Sequence, residues 1–265
     1  MTIIHHPAII TITGPSGSGK TVLSDLLRNH GLEPLISTTT RSPRKGEIDG
    51  KDYNFITREQ FFNDLKNEKF IENVDYNGVL YGVSVFEAER AFSLNKPAVL
   101  VAEPHGVEQI KKFAEQREWH VLRIFVDNPE NVLLGRLLNR LLTDTTGISL
   151  SDNNLDCLSS WINKINHCST SDLVNLLENF VIDISKSSLP SDSSKKINAA
   201  AQRLMSFQFE QANWVVPARN VPGLYEYITS SFNSSVQESV LQDILQRMMS
   251  LQTNSPILSR PPIKP

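Results

Sequence analysis

The stretch Gly14-Pro-Ser-Gly-Ser-Gly19-Lys20-Thr21 narrows the possible folds more than any other part of the chain. It follows Ala8–Thr13, a short β-branched apolar run that reads as a buried parallel strand. It precedes Thr21–Asn29, where Val22, Leu23, Leu26 and Leu27 fall at helical spacing. Glycines between a strand and a helix let successive backbone N–H groups converge on one anion, and the helix adds the positive end of its dipole. Gly14, Pro15, Ser16, Gly17, Ser18, Gly19, Lys20 and Thr21 therefore form a candidate site for nucleotide phosphates. Lys20 is placed to reach the β- and γ-phosphates, and the Thr21 hydroxyl is the candidate ligand for Mg²⁺.

Ala98–Ala102 and His120–Val126 read as two more buried strands, with Trp214–Val216 as a weaker fourth. Helical patterns separate them, so the expected fold class is α/β, a parallel sheet flanked by helices. Residues 37–85 differ. They carry turn formers, short strands and one helical stretch near Arg58–Asn67, and Asn77-Gly78 has the composition of a two-residue hairpin turn. This reads as a small, mainly antiparallel subdomain. Asn128-Pro129 is expected to open a helix, Asn as cap and Pro at the first position, with Arg136 and Arg140 one turn apart on it. Residues 143–199 hold 12 serines and two helical patches, around Leu158–Ile165 and Leu173–Ile184, and read as an insertion rather than a complete domain. Ser235-Val-Gln-Glu238 is a capping box. The stripe Val236, Val240, Leu241, Ile244, Leu245, Met248 and Met249 then predicts a helix packed on the protein's own core, followed by a Pro-rich tail.

Lys plus Arg total 26 and Asp plus Glu 29, a net charge of −3, so there is no basic excess for binding nucleic acid. Cys157 and Cys168 make neither a disulfide framework nor a four-ligand metal site. The histidines His5, His6 and His105 lack partners at ligand spacing. No apolar run spans a bilayer and no signal peptide is read at the start, so the expectation is a soluble cytoplasmic protein that meets neither membrane nor nucleic acid.

A second basic stretch runs from Ser37 through Thr38, Arg41, Pro43, Arg44, Gly46, Glu47, Gly50, Asp52 and Tyr53 to Phe55. Its two guanidinium forks suit bidentate contact with phosphate oxygens. Together with the glycine loop, the pattern T-T-R-x-P-R-x-G-E-x-x-G-x-D-Y-x-F resembles the guanylate kinase family. The likeness is close from Ile9 to about Gly82, looser to about Arg140, poor through 143–199, and faint near Trp214. The resemblance implies an ATP-binding core, an inserted subdomain for a nucleoside monophosphate, and a lid. It also implies ATP-dependent phosphorylation of GMP or dGMP, with Mg²⁺ as the cofactor accompanying ATP. Carried over by position, Arg41, Arg44, Tyr53 and Tyr81 would hold the monophosphate's phosphate, Glu47 would support the arginines, and Ser37 and Glu72 would read guanine. Lys20, Arg41, Arg136 and Arg140 are the expected catalytic set.

The chain departs from the family pattern in three places. Val83 stands where a hydroxyl residue is usual. Val101-Ala102-Glu103 replaces D-x-D, leaving Glu103 as a candidate substrate contact or a helix cap. Asn139 replaces the glycine of R-L-x-G-R, and the usual short acidic link gives way to the insertion, with Arg203 standing in for the last lid arginine. These departures keep two alternatives open: a kinase of another phosphorylated acceptor, nucleotide or phosphosugar, or a nucleotide-binding module with weak or no turnover that meets a protein partner through 143–199 or the tail. The expected organisation is one domain over 1–265. Within it the core takes 1–36, 96–142 and 200–232, the monophosphate subdomain 37–95, the lid insertion 143–199, and a terminal helix and tail 233–265.

Overall fold

The computed structural model describes residues 7–43, 46–76, 78–150, 158–169, 171–230 and 234–252. In chain order the elements begin with β1 (Ala8–Thr13), α1 (Lys20–Asn29), β2 (Glu33–Pro34), β3 (Thr38–Thr39), β4 (Asn54–Phe55), α2 (Arg58–Lys66), β5 (Phe70–Tyr76) and β6 (Val79–Ser84). Then come α3 (Val85–Ser93), β7 (Ala98–Val101), α4 (Pro104–Glu115), β8 (His120–Asp127), α5 (Glu130–Thr146), α6 (Ser159–Asn166), α7 (Leu173–Ser185) and α8 (Ser193–Glu210). A π-helical turn, Gln211–Val215, leads into α9 (Val216–Asn220), β9 (Tyr227–Ser230) and α10 (Ser234–Gln252). The chain divides into two compact units: Met1–Thr13, Lys20–Phe125 and Tyr225–Pro265 in the first, Gly14–Gly19 and Val126–Leu224 in the second.

The first unit is built on a five-stranded sheet of order β2-β7-β1-β8-β9. β1 lies at its centre, parallel to β7 on one side and β8 on the other, and all six of its residues are buried. A strand covered on both faces calls for a mainly apolar, β-branched run, which is what Ala8–Thr13 supplies. Val107, Ile110 and Ala114 of α4 fall three and four residues apart and are buried, as are Val240, Leu241, Ile244 and Met248 of α10, which packs against β1. The terminal helix therefore covers the chain's own core, as its stripe predicts, although Met249 lies off that stripe and is exposed. The capping-box side chains at Ser235–Glu238 and the tail lie outside the described residues.

The second sheet, of order β4-β3-β6-β5, is antiparallel except for the β3/β4 pair. Tyr76 stands opposite Val79, so the hairpin turn has the two residues read from sequence. Asn77 lies outside the described residues. Gly78 has φ +78° and donates its N–H to the Asp75 carboxylate at 2.7 Å. Thr57 caps α2, its hydroxyl accepting from the Gln60 N–H, and buried Phe61 stacks on Phe70.

In the second unit, helices α5 to α8 share one core of Leu133, Leu138, Leu142, Trp161, Leu177, Phe180, Ile197 and Leu204. The two helical patches of the serine-rich stretch are α6 and α7, and they pack on α5 and α8. Asn139 clamps the start of this stretch: its Nδ2 donates to the Leu150 carbonyl and its Oδ1 accepts the Leu150 N–H, both at 2.7 Å. The residue that replaces the family's glycine thus anchors the inserted segment.

Two local readings need correction. Trp214–Val216 is not a strand. The long helix α8 runs on through the π turn into α9, where Pro217 fits a first-turn position, and three apolar residues are too few to overturn that continuity. The edge position of the sheet belongs to β9 instead, and Glu226 just before it clamps Arg123 of β8. Asn128 is also not the helix cap. Pro129 takes that position, α5 begins at Glu130, and the Asn128 side chain turns to the glycine loop. Phe180 is fully buried with its ring edge-on to Trp161 at 5.4 Å. Phe180→Ala is expected to lower the unfolding free energy by about 3–5 kcal/mol in urea melts followed by far-ultraviolet circular dichroism. A loss below about 1 kcal/mol would show that this helical core is not packed as described.

Candidate active site

The glycine loop joins β1 to α1, as the sequence requires. Gly14, Gly17 and Gly19 all have positive φ. A Cβ on Gly14 would run into the Val126 carbonyl, and one on Gly17 would come within 3.2 Å of the Leu133 carbonyl of α5. The loop backbone thus lies too close to its neighbours for side chains at these positions. Three successive loop residues are gripped by side chains of the same unit. Ser16 donates its N–H to Glu210 Oε2 at 2.7 Å and its hydroxyl to Glu210 Oε1 at 3.0 Å. Arg136 donates to the Gly17 carbonyl at 3.3 Å, and Asn128 Nδ2 to the Ser18 carbonyl at 2.9 Å. Lys20 and exposed Thr21 are the first two residues of α1.

In the first unit the second basic stretch folds into a compact cluster. Arg41 meets Glu47 through two hydrogen bonds of 2.6 Å, the bidentate geometry that fixes a guanidinium plane. Its guanidinium lies 4.9 Å from the centre of the Tyr53 ring, and the Tyr53 ring meets Tyr81 edge-on at 6.1 Å. The hydrogen bonds to Glu47 hold Arg41 in its charged form still more firmly than usual, with Tyr81 adding to the effect. Arg41, Glu47, Tyr53 and Tyr81 are therefore brought together. Arg44 lies outside the described residues. Ser37 stands just before β3, its carbonyl accepting the Asn54 N–H.

Glu72, on β5, is 6 % exposed and lies against the first turn of α4, where Gly106 leaves room for it: a Cβ there would be 2.9 Å from Glu72 Oε2. Burial, and then the charge of Glu103, push the Glu72 carboxyl up to about 7, while the Val83 amide hydrogen bond works the other way. Glu103 takes the N-cap position of α4 but makes no capping hydrogen bond with its side chain. Its carboxylate acts on Glu72 instead. The Val83 side chain is fully buried in the apolar cluster with Ile71, Leu100 and Ile110.

Of the expected lid residues, Arg136 reaches the glycine loop. Arg140 is exposed beside Asp144 at 3.8 Å, and Arg203 lines a small hollow between α5 and α8 with Asp144 and Lys196. Sequence reasoning missed Glu210 and the loop contact of Asn128. Neither carries a local signal, because each acts on residues more than a hundred positions away.

A β1–glycine loop–α1 unit at the centre of a parallel sheet, with a second sheet carrying an arginine–tyrosine cluster and a buried carboxylate, defines a phosphate-loop α/β protein of the nucleotide-binding class. The family model for guanylate kinase matches residues 6–152. Guanylate kinase from Schizosaccharomyces pombe is 43% identical over 105 residues, covering 38% of this chain and 52% of that protein. The guanylate kinase of Sus scrofa is 37% identical over 142 residues, covering 52% and 70%, and that of Homo sapiens 42% over 108 residues, covering 40% and 55%. A crystal structure of guanylate kinase from Anaplasma phagocytophilum shares the fold, with TM-score 0.51 at 20% identity over 95% of this chain and 89% of that one. The chain belongs to the guanylate kinase family. It matches about half the length of the yeast and human relatives.

Because the Glu72 pKa is raised above its unfolded value, its contribution to stability is full at low pH and is lost as pH rises toward and through about 7. Glu72→Gln stays neutral, so its stability relative to the parent is expected to grow between pH 5 and pH 8, by up to about 3 kcal/mol. A difference that does not change with pH in paired urea melts would contradict the burial described.

Proposed function

We propose that the protein transfers the γ-phosphoryl group of ATP to a guanine nucleoside monophosphate, GMP or dGMP. The observation that carries this reading is the buried Glu72 carboxylate on the sheet that bears Tyr81 and is flanked by Arg41 and Tyr53, in a chain of the guanylate kinase family. Guanine presents N1–H and N2–H₂ side by side, and an ionised carboxylate accepts both, whereas adenine presents an acceptor at N1. Arg41, oriented by Glu47, and the phenols of Tyr53 and Tyr81 supply donors for the monophosphate's phosphate.

The glycine loop and Lys20 would hold the donor's β- and γ-phosphates, and Arg136, already against Gly17, adds positive charge beside the loop. Mg²⁺ would be held mainly by the nucleotide phosphates and the exposed Thr21 hydroxyl, where it would neutralise phosphate charge. No covalent enzyme intermediate is required. The chain's part is to align two anions and balance the charge that moves between them.

The test is steady-state kinetics with ATP and GMP, dGMP or AMP. Lys20→Ala is expected to abolish transfer while leaving the melting temperature close to that of the parent, and near-normal turnover would sink the kinase reading. Base reading adds a pH signature. With a carboxyl near 7, about a tenth of molecules have Glu72 ionised at pH 6 and about nine tenths at pH 8, so affinity for GMP should rise about tenfold across that range. AMP should show no such gain, and a flat GMP response would show that Glu72 does not read the base.

A further inference from the structure

Glu210 is a buried carboxylate in an unusual place. Along α8 the buried residues Ile197, Ala200, Ala201, Leu204 and Phe207 form the stripe that packs into the helical core. Glu210 continues that stripe at 6 % exposure. A charged group at an apolar position is costly unless its oxygens are hydrogen-bonded. Both oxygens are satisfied by one residue, Ser16, through its backbone N–H and its hydroxyl. At the next residue the helix changes to a π turn, where Gln211 Nε2 is buried with no hydrogen-bond partner among the described residues. π turns inside helices occur frequently at functional sites. A helix built into the core of the inserted segment therefore ends in a carboxylate fastened to the phosphate loop.

We propose that Glu210 is a positioning residue for the nucleotide donor. By holding both donors of Ser16, it fixes the loop peptide that precedes Gly17–Gly19 and so keeps the following amides convergent on one anion. It also makes the shape of the loop depend on the packing of α8. The proposal rests on the reading of Gly14–Thr21 as the ATP site.

The experiment is calorimetric binding of a non-hydrolysable ATP analogue with Mg²⁺, and separately of GMP, to the full chain and its variants. Glu210→Ala is expected to weaken the analogue about ten- to a hundredfold, the effect of losing a pair of hydrogen bonds to a charged group, and to leave GMP affinity unchanged. Glu210→Gln keeps an oxygen for the Ser16 N–H and offers an N–H to the hydroxyl, so it should return binding to within about threefold of the parent. Amide hydrogen exchange over residues 14–21 should quicken in the alanine variant and not in the glutamine one.

Unaltered analogue binding in Glu210→Ala would overturn the proposal. So would Glu210→Gln as weak as Glu210→Ala, which would make the effect one of charge. If Glu210→Ala does not fold, a double-mutant cycle of Ser16→Ala with Glu210→Met, which fills the apolar position but removes both acceptor oxygens, decides: coupling between the two in analogue binding supports the contact, and simple additivity overturns it. A parent protein that binds no ATP analogue would overturn the phosphate-loop reading itself, a result distinct from an indifferent Glu210 in a protein that does bind.

Discussion

An anion-binding loop works only if its amides stay convergent when nothing compels them to, and a glycine-rich segment is the part of a chain least able to hold itself still. Here the stiffness is supplied from outside the loop. Gly14 and Gly17 press against the Val126 and Leu133 carbonyls, and the next residues are tied by Glu210, Arg136 and Asn128. The freedom that allows the loop its positive φ angles is thus removed by contacts with the end of β8, with α5 and with α8. The helical core of the second unit is consequently part of the machinery of the loop, since two of those tethers stand on its helices.

Within the first unit, charge in confinement governs the arginine–tyrosine cluster and the Glu72 carboxyl. Arg41 and Glu47 neutralise each other in a fixed plane, which orients the guanidinium without a loss of charge. Glu72 and Glu103 are arranged in the opposite sense: two carboxylates share one neighbourhood, and the more buried of them is pushed toward neutrality. Gly106 makes this possible by leaving the first turn of α4 without a side chain where the Glu72 carboxyl lies. On the proposed reading, a donor edge on a ligand would offset the cost of ionising this buried carboxyl, so that base preference and cost to the fold would have one origin.

Much of this was legible in the sequence because the relevant signals are local. β1, β7 and β8 are continuous apolar runs, α1 and α10 are stripes, and the β5/β6 turn has its own dipeptide. The arginine–tyrosine cluster came from a long motif, and Arg41, Glu47, Tyr53 and Tyr81 do meet. What was hidden is of two kinds. β2, β3 and β4 have two residues each, too few for any periodicity, and Trp214–Val216 imitated a strand for the same reason. Asn128, Glu210 and the Asn139 clamp act through contacts whose partners are set by tertiary packing, so their residue types alone point to caps, surface charge or turns.

The placement of α10 carries a consequence for the order in which the molecule is completed. β1 precedes the whole second helical unit in the chain, and the helix that covers it spans residues 234–252. The intervening second unit closes largely within Val126–Leu224, using contacts already in hand. The central sheet therefore waits, with the apolar face of β1 uncovered, while a later segment condenses, and it reaches its final burial only when the chain returns as β9 and α10. Such long-range closure is slow, and it leaves nascent chains of this protein exposed to aggregation longer than chains whose neighbours in space are neighbours in sequence.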